Sequence, residues 1–477
     1  MNLPDCSIDK KRNIEKCQKF TDPLIADEML DLIDYKEKVF GKKVLENSFG
    51  SGVFLEKIVI RYIEASIREG YSRTDIQKGL SDDIYGFEVD EKLVEQVVKK
   101  LDSIVAHYSI PKVLWSIFCH DALSFIFFIS FDYVIGNPPY LNYRDMNVKT
   151  REVLRQSFQA CKAGKFDYCY AFLEKGINVL SRNGKMIQLV PANIYKNVFG
   201  RNLRSILLPY VSEIWEYPKQ KIFGETLTTS SILYVSKSSK RKAFKYVNKT
   251  DNQRMIIRKD TLASKWIFKK ADGRAHGGGE KFGDHFSVSI SIATQLNEAF
   301  LVDKKDITLF SLEQDLIYKA ASPRSLLLKK DEYIIFPYRY VDNAISRINE
   351  DVFTSDYPNI RGYLLQYYDD LMKRDKDKSA SWFEYGRSQA LSIVRYRKLI
   401  MSTIVTDKPA VYLLEEKTIP YSGITIVEKS RIYSLADAKK WLESDSFCKY
   451  AKKVGTSVNG QSYRITCDDI KNFVLEV

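Results

Sequence analysis

Cysteine is sparse and scattered in this chain: seven in 477 residues, at positions 6, 17, 119, 161, 169, 448 and 467, an odd number with no C-x-x-C pair. That excludes a standard zinc framework, leaves no metal site to expect, and argues for a reducing compartment. The opening stretch MNLPDCSIDKKRNIEK lacks the apolar core of a secretory signal. Long hydrophobic runs are missing as well. The longest, FIFFISFDYVIG, is too short to span a bilayer and reads as buried sheet. Internal repeats and long low-complexity tracts are also absent. A cytoplasmic protein without a membrane partner is expected.

What is present is ordinary globular composition, 45% hydrophobic and 28% charged, in a chain long enough for about two or three domains. The net charge of +13 is uneven: from residue 241 onward there are 40 Lys and Arg against 31 Asp and Glu, or +9. A basic excess in one half suits a polyanion partner, although a solvated Lys-rich surface explains it equally well. The first half alternates strand and helix signals, the pattern of an α/β domain with a mainly parallel sheet. Strands are expected at KVLENSF, DIYGFEVD, WSIFCHDAL, FDYVIGNPPY, KMIQLVP, VSEIWEYP and TSSILYVSK. Helices are expected between them, the longest being FDYCYAFLEKGINVLSRNG closed by Gly184. Near residues 236–254 the alternation dissolves into a basic, linker-like stretch, which sets expected domains at 1–240 and 241–477. The second half carries many tyrosines and short apolar runs.

Four features sit at successive strand ends of the first half, where open α/β sheets bind ligands. In LENSFGSG (45–52), Glu46 precedes a Gly-containing turn that lets backbone approach a ligand. Glu88 ends the second strand, where a carboxylate can accept from both ribose hydroxyls. Asp121 in CHDAL is placed to accept from an adenine amino group. Each of these alone is equally a tight turn or a helix cap. The fourth, Gly136-Asn137-Pro138-Pro139-Tyr140, breaks a core strand with two residues that have no backbone N–H. The result is a rigid corner rich in acceptors, suited to an amino group with two hydrogens, beside a ring on which a flat base can stack. Four such features in this order narrow the reading to one kind of site.

At these residues the chain resembles the gamma-class adenine-N6 DNA methyltransferases of restriction–modification systems. Their upstream F-T-P segment corresponds to KFTDPLIADEM (19–29), and their N-P-P-Y follows the Gly-rich turn as it does here. The resemblance implies a Rossmann-like class I S-adenosylmethionine-dependent methyltransferase sheet followed by a C-terminal mixed α+β target-recognition domain. It implies that Phe20, Thr21, Glu46, Phe49, Gly50 and Gly52 hold the methionine part of the cofactor. Glu88 with Val89 would hold the ribose, Asp121 with Ala122 the adenine, and Asn137, Pro138, Pro139 and Tyr140 the target base, with Asn137 also beside the cofactor. A second aromatic for a flipped adenine is expected at Phe199, with Tyr195 next. In the basic half, Arg274, Arg339, Arg387, Arg395 and Arg397 are candidates for contacts to double-stranded DNA, each also explicable as a surface or structural residue.

The chain departs from the family where the Gly-rich motif usually reads acid-Pro-Ala-Cys-Gly. Here it reads Glu46-Asn47-Ser48-Phe49-Gly50, which puts Phe49 bulk beside the expected cofactor, and Asp22 moves the upstream proline to Pro23. Rival readings are an RNA guanine-N2 enzyme, a protein glutamine-N5 enzyme, and a DNA-specificity protein of the same fold without turnover. The first motif begins at Lys19, so no nuclease domain is expected ahead of it. A monomeric prokaryotic enzyme is expected, with a cognate restriction endonuclease as a candidate partner.

Overall fold

Periodic apolar residues build the elements of the first half. The computed structural model describes residues 21–217, 230–239, 241–268, 279–341, 344–388, 390–458 and 462–475. In helix α1 (Pro23–Leu32), Ile25, Ala26, Met29 and Leu30 form one buried face, and the Asp22 side chain caps its start by accepting from the Leu24 N–H. Strand β1 (Val44–Glu46) is wholly buried. Helix α2 (Val53–Arg68) then buries Phe54, Leu55, Ile58, Val59, Tyr62 and Ile63, each large apolar side chain contributing about 1.5–3 kcal/mol. Helix α3 (Arg73–Asp83) starts in a Ser72/Asp75 capping box and runs directly into β2 (Ile84–Glu88). Helix α4 (Glu91–His107), β3 (Ser116–Cys119), β4 (Phe131–Gly136), α5 (Val148–Ser157), α6 (Cys169–Val179), β5 (Leu180–Pro191), α7 (Arg201–Leu207), β6 (Val211–Glu216) and β7 (Ser230–Ser236) follow.

These strands form a nine-stranded sheet in the order β3-β2-β1-β4-β5-β7-β6-β8-β9, where β8 is Ala243–Asn248 and β9 is Gln253–Arg258. The five strands from β3 to β5 are parallel, and β7 lies antiparallel between β5 and β6. Strand order reverses between β1 and β4, so the carboxyl ends of these two strands flank a switch-point crevice.

Three expectations are corrected here. The basic stretch after residue 240 is no linker: β8 pairs in parallel with β6, β9 pairs antiparallel with β8, and the first compact unit runs Met1–Ala275. Its inward side is apolar, with Phe244, Tyr246, Met255 and Ile257 buried, while Lys245, Arg254 and Arg258 supplied the charge that hid the alternation. The run FIFFIS is not sheet. Phe125 and Phe127 turn inward onto Phe87, whereas Phe128 is 94% exposed and Ile126 and Ile129 also face out. Finally, α6 stops at Val179 rather than at Gly184, because Leu180 already pairs with Phe131 and β5 begins there with an irregular register.

The second unit, His276–Val477, mixes helices with short strands. One antiparallel sheet sets Phe286–Ile290, Ile424–Glu428, Lys398–Met401 and Val411–Leu414 side by side. Helices Leu435–Leu442 and Asp445–Val454 contribute Ala438, Leu442, Phe447 and Ala451 to the apolar core that this sheet shares. A second core gathers Phe300, Ile334, Phe336, Phe353, Leu364 and Tyr385. Among the described residues no helix is long and apolar enough to cross a membrane, and no group of His, Cys, Asp and Glu is arranged to hold a metal ion.

Candidate active site

Parallel strands deliver their carboxyl ends to one edge, and four of the expected residues lie along it. Glu46 ends β1 and is 1% exposed. Its carboxyl accepts from the backbone N–H of Leu55 in the first turn of α2, whose N-cap, Gly52, offers no side chain. Burial pushes the Glu46 carboxyl well above the ordinary range; that hydrogen bond opposes the rise, and the nearby Glu88 charge adds to it. Its Oε2, and both polar atoms of buried Asn47, have no hydrogen-bond partner among the described residues. The turn that follows needs left-handed backbone at Gly50 (φ +53°) and Gly52 (φ +81°), and a Cβ on Gly52 would lie 2.6 Å from Val97 of α4.

Glu88, at the end of β2, ties the turn together. Its Oε2 accepts from the Gly50 N–H at 2.9 Å, and its Oε1 accepts from the Val89 and Asp90 N–H groups at 2.9 and 3.2 Å. Burial raises its pKa and those three donors oppose the rise. The Glu88 carbonyl accepts from the His120 N–H, which brings Asp121 alongside. Asp121 Oδ1 accepts from the Leu123 N–H at 2.9 Å, and Ala122 is buried beneath.

The corner after β4 draws in the upstream segment. Asn137 Nδ2 donates to Thr21 Oγ1 at 3.2 Å across 116 residues of sequence, and Ser48 Oγ donates to the Asn137 carbonyl at 3.4 Å. Tyr140 does more than offer a ring: its hydroxyl has Asn137 Oδ1 at 2.5 Å and the Leu189 carbonyl at 2.8 Å as acceptors. Burial pushes that phenol well up, so it stays protonated as a donor. Pro138 is buried and Pro139 half-buried, and neither peptide bond is cis.

Other expected residues fall elsewhere. The Phe49 ring is packed in the apolar core over Gly86, where a Cβ would come within 3.0 Å of it, so its bulk is accommodated inside the sheet. Tyr195 is 1% exposed, hydrogen-bonded to Ser231 Oγ and stacked on Trp266, so its ring is not available to a base. Phe199 is 41% exposed in the turn Val198–Gly200, its ring lying over Gly164. In the second unit, Arg339 pairs with Asp356, Arg387 with Asp375 and Asp377, and Arg397 with Glu415. Arg395 lies over the Tyr396 ring and lines a cavity of about 440 Å³ with Arg347, Ser388 and Ser392. Phe20 and Arg274 lie outside the described residues. Sequence reasoning missed the Tyr140 hydroxyl and Gln188, a buried amide in the apolar strand KMIQLVP whose polarity was itself a signal.

Comparison with known proteins places the likeness of this chain among restriction–modification enzymes. The family model described as Eco57I restriction-modification methylase matches residues 54–223. The Type II methyltransferase M.BstVI of Geobacillus stearothermophilus is 22% identical over 462 residues, covering 82% of this chain and 79% of that protein. The Type II restriction enzyme and methyltransferase RM.Eco57I of Escherichia coli is 22% identical over 318 residues, 55% of this chain but only 31% of the relative. In fold, the chain is similar to the Type IIL restriction-modification enzyme MmeI solved in complex with DNA, with a TM-score of 0.57 at 12% identity over 94% of this chain and 64% of that one. The buried, unpaired polar atoms of Glu46 and Asn47 beside the glycine turn fit the charged amino-acid end of S-adenosylmethionine. The chain is thus similar to methyltransferases of restriction–modification systems, and this likeness supports S-adenosylmethionine as the cofactor.

Proposed function

We propose that this chain is a site-specific DNA methyltransferase that methylates the N6 amino group of adenine, as the modification enzyme of a restriction–modification system. The observation that carries the reading is the Asn137 corner at the switch point, held between Thr21 and Tyr140. S-adenosylmethionine supplies a methyl group already activated by its sulfonium. The protein therefore needs no metal or covalent nucleophile and has chiefly to align nucleophile with methyl. Glu88 and Asp121 hold the adenosine part through ribose hydroxyls and the amino group, and Glu46 and Asn47 face the amino-acid end.

Asn137 Oδ1 and the Pro138 carbonyl accept the two hydrogens of the target amino group, which turns its lone pair toward the methyl. One N–C bond forms as the S–C bond breaks, S-adenosylhomocysteine leaves, and the surplus amino proton passes to solvent. An adenine reaches this corner only by leaving the duplex, at a cost of a few kcal/mol. Stacking on Tyr140, with Phe199 opposite, offsets about 1–3 kcal/mol of that per ring. The second unit serves as the target-recognition domain, with Arg395 at the cavity of about 440 Å³ in reach of the duplex, while Arg347 is engaged by the Glu384 carboxylate. The test is incubation with methyl-labelled cofactor and duplex DNA, followed by digestion to nucleosides. Label is expected in N6-methyladenine; label in RNA guanine or in protein glutamine, with none in DNA, would overturn the assignment.

A further inference from the structure

Gln188 is out of place in its strand. Its neighbours on β5, Met186, Ile187, Leu189 and Val190, are apolar and fully buried, and Gln188 itself is 1% exposed. Neither its Oε1 nor its Nε2 has a hydrogen-bond partner among the described residues. A buried carboxamide left unpaired is unfavourable, and a leucine would fill the same space without that cost. Strand register explains what it faces. Gln188 pairs with Gly136, the last residue before Asn137. The point where a Cβ on Gly136 would stand is 3.9 Å from Gln188 Nε2, 3.7 Å from Glu46 Oε1 and 3.4 Å from Glu46 Cγ. The absence of a side chain at Gly136 thus lets an amide on β5 and a carboxylate on β1 converge on one point at van der Waals distance, and Glu46 Oε2 is unpaired as well.

We propose that Gln188 is a binding residue for the α-amino-acid end of S-adenosylmethionine, reaching it from β5 across Gly136. This rests on the cofactor reading above. The chemistry matches: the amino-acid end presents an ammonium donor and a carboxylate acceptor, Glu46 once ionised beside the ammonium only accepts, and Gln188 can both donate and accept. The acids assigned to the adenosine end, Glu88 and Asp121, lie on the β2 and β3 side of β1, away from β5. Gln188 therefore acts on the amino-acid moiety alone.

The experiment compares two ligands that share the adenosine part. S-adenosylhomocysteine has the amino-acid end, and 5′-methylthioadenosine lacks it. Binding of both is measured by calorimetry to the full chain and to its Gln188→Met and Gln188→Leu variants, alongside thermal melting of the unliganded proteins. Both variants should bind S-adenosylhomocysteine at least about tenfold more weakly, the loss of hydrogen bonds to a charged group. Affinity for 5′-methylthioadenosine should change less than about twofold, and melting temperature should not fall, because no paired group is removed. Unchanged affinity for S-adenosylhomocysteine would overturn the proposal and point to a buried water as the partner of the amide. Equal losses for both ligands, or a lower melting temperature in the isosteric methionine variant, would make Gln188 a structural residue. If the unaltered chain binds neither ligand, the cofactor reading itself falls, and this inference with it.

Discussion

Tyr140→Phe removes one hydroxyl from the corner and keeps the ring, so it separates two roles that sequence reasoning merged. The hydroxyl carries one proton and has two acceptors within reach, Asn137 Oδ1 at 2.5 Å and the Leu189 carbonyl at 2.8 Å. In the free protein it holds the Asn137 carboxamide in one orientation, the one that the proposed transfer would use. When the target amino group arrives at Oδ1, the phenolic proton can turn to Leu189, so neither oxygen is left bare. Loss of the hydroxyl leaves a part-buried acceptor short of its donor, a cost of about 1–3 kcal/mol. For a unit of this size, a melting temperature lower by about 2–6 °C should result. If about 1.4 kcal/mol of that orienting energy is lost from the transition state, single-turnover methylation of genomic DNA falls about tenfold. DNA affinity should hold within about threefold, since the phenyl face remains, whereas Tyr140→Ala forfeits about 1–3 kcal/mol of stacking. Wild-type transfer rates in Tyr140→Phe, or a loss of DNA affinity equal to that of Tyr140→Ala, would refute the orienting role.

Asn137→Ala should abolish transfer while leaving S-adenosylhomocysteine binding within a few-fold, as read by calorimetry; loss of binding would mean the corner holds the cofactor rather than the target. Gly52→Ala combines a φ of +81° with a Cβ 2.6 Å from Val97, and should destabilise by about 2–4 kcal/mol in chemical denaturation. Gly50→Ala meets open space at a φ of +53° and should cost only about 1–2 kcal/mol; reversal of that order would contradict the packing described. Glu46 has its folded pKa raised by burial, so its contribution to stability is full below its unfolded value and is lost as pH rises through the folded value. An ammonium bound beside it lowers the folded value and expels the proton. S-adenosylhomocysteine binding should therefore give different heats in buffers of different ionisation enthalpy, and Glu46→Gln should remove the difference; equal heats for the unaltered chain would count against a protonated Glu46.

The first unit was largely legible because parallel βαβ topology turns order along the chain into order along an edge. Each of these parallel strands ends at the same side, so the order of Glu46, Glu88, Asp121 and Asn137 in the sequence is enough to set them along one edge. The errors have a common physical origin in surface chemistry. Lys245, Arg254 and Arg258 lie on the outer side of an edge hairpin, and their charge outweighed the inward Phe244, Tyr246, Met255 and Ile257. The segment 125–130 showed the opposite failure, where alternate aromatics packed inward without a sheet and left Phe128 in solvent. The second unit was barely legible, because its strands are two to five residues long and pair out of order, Phe286–Ile290 with Ile424–Glu428 for one. Lys398 illustrates the limit: it looks like a surface cation, yet it is fully buried and its ammonium lies within hydrogen-bond reach of the carbonyls of Val394, Glu415, Glu416 and Thr418.

Within the site, sequence reasoning named residue types well and their partners poorly, since partners depend on register. Tyr140 was placed as a stacking face because an exposed ring after two prolines suggests one; its bond to Asn137 Oδ1 exists only because the corner folds the ring back toward β5 and the Leu189 carbonyl. Tyr195 is the next choice after Phe199 for the second face, but the short helical turn Ala192–Tyr195 stacks it on Trp266 instead. Gln188 shows the converse. No motif includes it, yet an amide among Met186, Ile187, Leu189 and Val190 is chemically conspicuous, and the pairing of β4 with β5 sets it opposite Gly136. A polar residue that breaks a buried apolar strand beside a binding crevice therefore merits the same scrutiny as a motif residue. Its desolvation must be answered by some partner, and where the described residues supply none, a ligand or a buried water is left to supply it.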